Sequence, residues 1–163
     1  NEVKGFQRDI TVRDVVATYI YPNTLQTLRV TRPVLKAALE RCAQYFSIRP
    51  DGALEVSQDF LKPKVEHYNY DYFSGIQVTM DVRLPLGRRV TSIRYQGEEL
   101  PEDKALTLCM NNYRASGTGG YECFRGCEKV SELPTEISEL IMDYVLAHGS
   151  LTVDKTRWLT VLH

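Results

Sequence analysis

Hydrophobic and polar positions alternate most regularly between residues 76 and 84. Ile76, Val78, Met80, Val82 and Leu84 fall on one side, and Gln77, Thr79, Asp81 and Arg83 on the other. A period of two is the signature of a strand with one buried face. Pro85-Leu86-Gly87 then turns the chain, and Arg89 to Tyr95 returns as a second strand, so a hairpin is predicted. Gln96-Gly97 turns the chain again, and Ala105 to Met110 alternates as a third strand. Earlier, Leu25 to Val30 reads as a strand after the turn signal Pro22-Asn23, and Arg157 to Leu162 reads as a final edge strand.

The helical period appears three times. Thr11 can cap a short helix to Tyr19, with Asp14 in its first turn and a stripe of Val12, Val15 and Val16. Thr31 and Pro33 open a longer helix with Val34, Leu35, Ala38, Leu39, Cys42, Ala43 and Phe46 on one face. Thr135 is placed as the cap of the last helix, with Ile137, Leu140, Ile141, Tyr144 and Val145 facing inward and Gly149 as its stop. Strands come in runs rather than in strict alternation with helices, which makes the fold class α+β. One core is expected to unite Val34, Leu35, Leu39, Phe46, Ile76, Val78, Val82, Leu108, Ile141 and Val145.

At 163 residues, with 43% hydrophobic and 25% charged positions, the chain fits a single domain over residues 1–163. A net charge of −1 gives no general attraction for a nucleic acid polymer or an anionic membrane. No apolar run is long enough to span a bilayer. Cys42 and Cys109 read as buried thiols. Cys123 and Cys127 read first as unpaired thiols, then as a small-loop disulfide, and last as metal ligands.

Two segments carry candidate chemistry. Asn111-Asn112-Tyr113-Arg114-Ala115-Ser116-Gly117-Thr118-Gly119-Gly120-Tyr121 follows a strand with a glycine-rich loop flanked by two tyrosines. Glycine lets backbone approach a flat ligand closely, and tyrosine offers a face for stacking. His67-Tyr68-Asn69-Tyr70-Asp71-Tyr72-Phe73-Ser74-Gly75 holds four aromatics, which cannot all point into one core. Two exposed aromatic platforms make a clamp for a nucleobase. A glycine-rich turn and an aromatic minicore are the plainer readings. The three histidines, His67, His148 and His163, join no cluster fit for a two-metal phosphoesterase site, so no complete active site is read here.

The order Tyr-Pro-Asn-Thr-Leu (21–25), Tyr-Asn-Tyr-Asp (68–71), Ser-Gly-Ile (74–76) and Asn-Asn-Tyr-Arg-Ala (111–115) resembles the C-terminal substrate-binding domain of the 5′-nucleotidase / 2′,3′-cyclic-nucleotide phosphodiesterase family. The resemblance runs from about Thr11 to His163 and implies a nucleotide-binding domain of a phosphoric ester hydrolase. It implies divalent metals held by an N-terminal metallophosphoesterase domain outside this chain, no cofactor in this domain, and no turnover by the domain alone. It also implies an extracellular, cell-wall or periplasmic location. Carried over by position, Tyr70 and Tyr113 are the stacking pair, with Asn111, Asn112 and the backbone at Gly117 lining the loop and Asn23 near the phosphate. Gly119 stands where the 5′-nucleotidase branch has an aspartate for the ribose hydroxyls. The resemblance therefore points to the 2′,3′-cyclic-phosphodiesterase/3′-nucleotidase branch ahead of the 5′-nucleotidase/UDP-sugar hydrolase branch. A stand-alone nucleoside-binding module and a protein-interaction domain are the rival readings.

Overall fold

A computed structural model describes residues 5–163. Helix α1 (Val12–Thr18) starts at a capping box in which Thr11 and Asp14 satisfy each other's exposed groups. Strand β1 (Thr24–Val30) leads into α2 (Arg32–Ala43). A short hairpin follows, β2 (Phe46–Ile48) against β3 (Leu54–Val56). After two single 3-10 turns come β4 (Gln77–Asp81), β5 (Val90–Tyr95) and β6 (Glu98–Glu99). Strand β7 (Leu106–Asn111) runs directly into the one-turn helix α3 (Asn112–Ala115). The chain ends with β8 (Lys129–Glu136), α4 (Ile137–His148) and β9 (Leu159–Leu162).

The strands form sheets ordered β7-β1-β8, β2-β3 and β6-β5-β4-β9. All pairings are antiparallel except β4 with β9. Helix α2 joins the two larger sheets into one core. Its Leu35, Ala38, Leu39, Cys42 and Ala43 meet Leu28 and Val30 of β1, Val78 and Met80 of β4, and Val90 and Ile93 of β5. The α+β class, the 76–95 hairpin and the helical face of α2 are as the sequence predicts.

A buried carboxylate fastens this layer. Glu40 accepts the backbone N–H of Val90 at 2.9 Å and that of Arg89 at 3.1 Å. Arg89 in turn donates Nη1 to the carbonyls of Ala43 and Phe46. Truncating Glu40 strands two backbone donors, a loss worth about 1–3 kcal/mol. Glu40→Ala is therefore expected to lower the urea midpoint of unfolding with an unchanged slope.

Several expectations fail for identifiable reasons. Phe46 belongs to β2 rather than α2, because the helix stops at Ala43. Leu84 lies beyond the end of β4 and is exposed, so the alternating face closes at Val82. Glu136, not Thr135, is the N-cap residue of α4; Thr135 is still part of β8. The Ile137 N–H finds its acceptor in the distant carbonyl of Asn23, at 2.8 Å. The inward face of α4 is only partly covered. Ile137 is buried, Leu140, Ile141 and Val145 are half-buried, and Tyr144 is exposed. Ile141 and Val145 therefore stand outside the main core. In α1 only Val15 is buried, while Val12 and Val16 face solvent.

Candidate functional site

The antiparallel pairing of β1 with β7 sets Leu25 opposite Asn111. The residues just before β1 and those just after β7 must then emerge at the same end of the sheet. Asn112 fastens the two, its Oδ1 accepting the N–H of Thr24 at 3.2 Å and that of Tyr113 at 3.0 Å. Asn111 caps α3 by accepting the Arg114 N–H at 2.7 Å. A cleft of about 520 Å³ opens here, lined by Tyr21, Pro22, Asn23, Lys64, Tyr68, Asp71, Asn111, Tyr113 and Arg114 among others. Three tyrosine rings stand exposed on it: Tyr21 at 60%, Tyr68 at 48% and Tyr113 at 41%.

Tyr70 is not among the residues lining this cleft. Its ring lies 4.6 Å from that of Tyr45 and 5.5 Å from that of Phe46, against the core. Burial pushes its hydroxyl up to about 12. The expected pairing of Tyr70 with Tyr113 is thus corrected: Tyr70 serves the aromatic minicore, and Tyr68 and Tyr21 share the cleft with Tyr113. Tyr121 is likewise no platform. It is fully buried, its hydroxyl donating to the Asn69 carbonyl at 3.1 Å and accepting the Asp71 N–H at 3.3 Å.

Of the other expected residues, Asn23 and Asn111 line the cleft, while Asn112 holds its frame without lining it. Gly117 lies outside the lining, and a Cβ there would come within 2.7 Å of Arg125 Cγ. Gly119 has φ +79°, and a Cβ on it would overlap Arg114 Nη1 and Asn69 Oδ1. Lys64, which the sequence reading missed, stands with Nζ 5.5 Å from the Tyr68 ring and 3.5 Å from its hydroxyl. No described carboxylate forms an ion pair with it, whereas Arg114 is paired with Asp71. The cleft therefore carries one uncompensated positive charge. Burial pushes the Asp71 carboxyl above its ordinary value, with Arg114 pulling it down.

A second cavity of about 370 Å³ shares Asp71, Asn111 and Arg114 with the first but has neither Tyr113 nor Lys64. It is lined in part by Cys109, which proves exposed because its strand turns that position outward, contrary to the buried thiol expected. Cys42 is buried as expected, and Cys123 and Cys127 are unpaired thiols. Burial lifts the thiols of Cys42 and Cys123 to about 11. Among the described residues no three of His, Cys, Asp and Glu gather to hold a metal ion, and no helix is long and apolar enough to cross a membrane.

Known proteins share this fold. The family described as 5′-nucleotidase, C-terminal domain, matches residues 2–126. A Staphylococcus aureus structure described as a 5′-nucleotidase superposes with a TM-score of 0.91 at 35% identity, over 98% of this chain and 31% of that one. The trifunctional nucleotide phosphoesterase YfkN of Bacillus subtilis is 27% identical over 85% of this chain and 10% of its own length. The 2′,3′-cyclic-nucleotide 2′-phosphodiesterase/3′-nucleotidase of Haemophilus influenzae is 27% identical over 85% of this chain and 23% of its own. This chain therefore spans between a tenth and a third of these relatives. With the matched segment running through β1, α2, the 76–95 hairpin and the whole tyrosine cleft, the chain belongs to the family of 5′-nucleotidase C-terminal domains.

Proposed function

We propose that the cleft binds the nucleoside part of a nucleotide, with the base between Tyr21 and Tyr113 and Tyr68 along its edge. The observation that carries this reading is the convergence of two exposed tyrosines at one sheet end, from segments 92 positions apart in the sequence (113 less 21). Tyrosine rings gathered on one cleft offer faces for stacking, and base–aromatic stacking contributes about 1–3 kcal/mol per base. The chain then acts as the nucleotide-binding part of a phosphoric ester hydrolase. The divalent metals and the attacking water belong to an N-terminal metallophosphoesterase domain of the same polypeptide. Closure of the two brings the phosphoryl group to the metals, a gain in proximity that this domain alone cannot supply.

The substrate class that fits best is a 2′,3′-cyclic nucleotide or a 3′-nucleotide. Position 119 offers no carboxylate for a free ribose diol, and the space beside it is filled by Arg114 and Asn69. Lys64 adds a positive charge that favours an anionic ligand over a neutral nucleoside. Two relatives, at 27% identity each, carry nucleotide phosphoesterase and cyclic phosphodiesterase names, in accord with this reading.

Lys64→Glu supplies the test. Reversing the charge is expected to weaken binding of adenosine 3′-monophosphate by about 10-fold, on the order of 1.4 kcal/mol, at low salt. Adenosine itself should change by less than about 3-fold, a coupling that salt screens. Isothermal titration at two ionic strengths measures both. Equal losses for nucleotide and nucleoside would remove Lys64 from the anion site.

A further inference from the structure

Among the described residues Arg114 is the only buried lysine or arginine, and it lies directly beneath the cleft. Its guanidinium covers the Tyr121 ring at 4.2 Å. Nη1 donates to the Thr118 carbonyl at 2.5 Å, and Nη2 donates to the Tyr68 carbonyl and to Asp71 Oδ1, each at 3.1 Å. Nε lies 2.5 Å from Asp71 Oδ2. One side chain thus holds the segment carrying Tyr68, the glycine loop and its own helical turn, which carries Tyr113. Glycine at 119 leaves the room for it.

Helix α3 spans only four residues, far below the length at which a helix is stable by itself. The orientation of the Tyr113 ring must therefore come from tethers. We propose that Arg114 is a positioning residue for the cleft: it preforms the Tyr113 platform and holds it in register with Tyr68. The proposal rests on the nucleotide-binding reading above for its ligand arm only. A planar fork with five donors can serve Thr118, Tyr68 and Asp71 while stacking on Tyr121; a lysine ammonium cannot. Preorganisation of this kind spares the ligand the cost of ordering the loop.

The test uses Arg114→Lys and Asp71→Asn in the full chain, with two readouts. Without ligand, hydrogen exchange of amides in 66–71 and 112–121 should quicken at least about 10-fold, while amides of β4 and β5 keep their protection. Unchanged exchange in those two segments, or an equal rise everywhere, would overturn the proposal. With ligand, Tyr113→Ala should cost about 10- to 100-fold in affinity for adenosine 3′-monophosphate in the parent chain, but less than about 3-fold on the Arg114→Lys background. Additive losses would show that Arg114 does not act through Tyr113. Should Arg114→Lys fail to fold, Asp71→Asn keeps the arginine and the shape of its partner, and the same local exchange pattern is expected at smaller size. A parent chain that binds no nucleotide refutes the nucleotide reading, and the exchange data still decide the positioning role.

Discussion

Gly119→Asp is expected to destabilise the domain by roughly 2–6 kcal/mol rather than to install a grip on the ribose. Two independent effects add. The backbone at 119 has φ +79°, where a side chain is strained by about 1–3 kcal/mol. The new Cβ would also overlap the guanidinium of Arg114 and the amide of Asn69, and overpacking of this sort costs about 1–3 kcal/mol. Asn69 has little freedom to retreat, since it is buried and its Nδ2 donates to Glu66 at 2.9 Å. Chemical denaturation measures the loss, and binding of adenosine 5′-monophosphate should not improve. A stable Gly119→Asp variant with new affinity for the 5′-nucleotide would show that the loop relaxes freely and that Arg114 does not fix it.

Tyr113→Ala should weaken nucleotide binding by about 10- to 100-fold, the loss of one stacking face. Phenylalanine at 113 should largely restore it, because the face matters and the hydroxyl does not. Tyr21→Ala should behave in the same way. Tyr70→Ala makes the contrast: it removes a ring packed on Tyr45 and Phe46, so it should cost about 3–5 kcal/mol of stability and little direct affinity. In a full-length hydrolase, the Tyr113→Ala effect should fall on the Michaelis constant more than on turnover, since stacking binds ground and transition states alike.

The parts of this fold that the sequence made legible are those where one face is buried and the other wet. The 76–82 alternation and the helical face from Leu35 to Ala43 are of that kind, and both lie in the core. Strand β8 escaped because it is an exposed edge strand carrying Pro134, with no apolar face to leave a period. The apolar positions of α4 were legible as a stripe, but a stripe does not say whether this domain covers it. Tyr144, within that stripe, is 56% exposed.

The candidate cleft was legible in its residue types and its loop, while Tyr70, expected there, lies against Tyr45 and Phe46 instead. Spacing in Tyr68-Asn69-Tyr70 cannot reveal which ring turns outward, because that depends on where the Tyr45–Phe46 cluster sits. Tyr21 gave a signal in its Tyr-Pro-Asn turn. What placed it beside Tyr113 was the β1–β7 register, a long-range fact that local pattern does not contain. Arg114 gave none, since an arginine after a tyrosine reads as a solvated charge until its guanidinium is found buried on Tyr121.

A crystal structure of the chain with adenosine 3′-monophosphate tests the central claim most directly. The base should lie between the rings of Tyr21 and Tyr113, at stacking distance from both, with its phosphate on the Lys64 side of the cleft. A base seated against Tyr70, or in the cavity beside Cys109, would contradict the account.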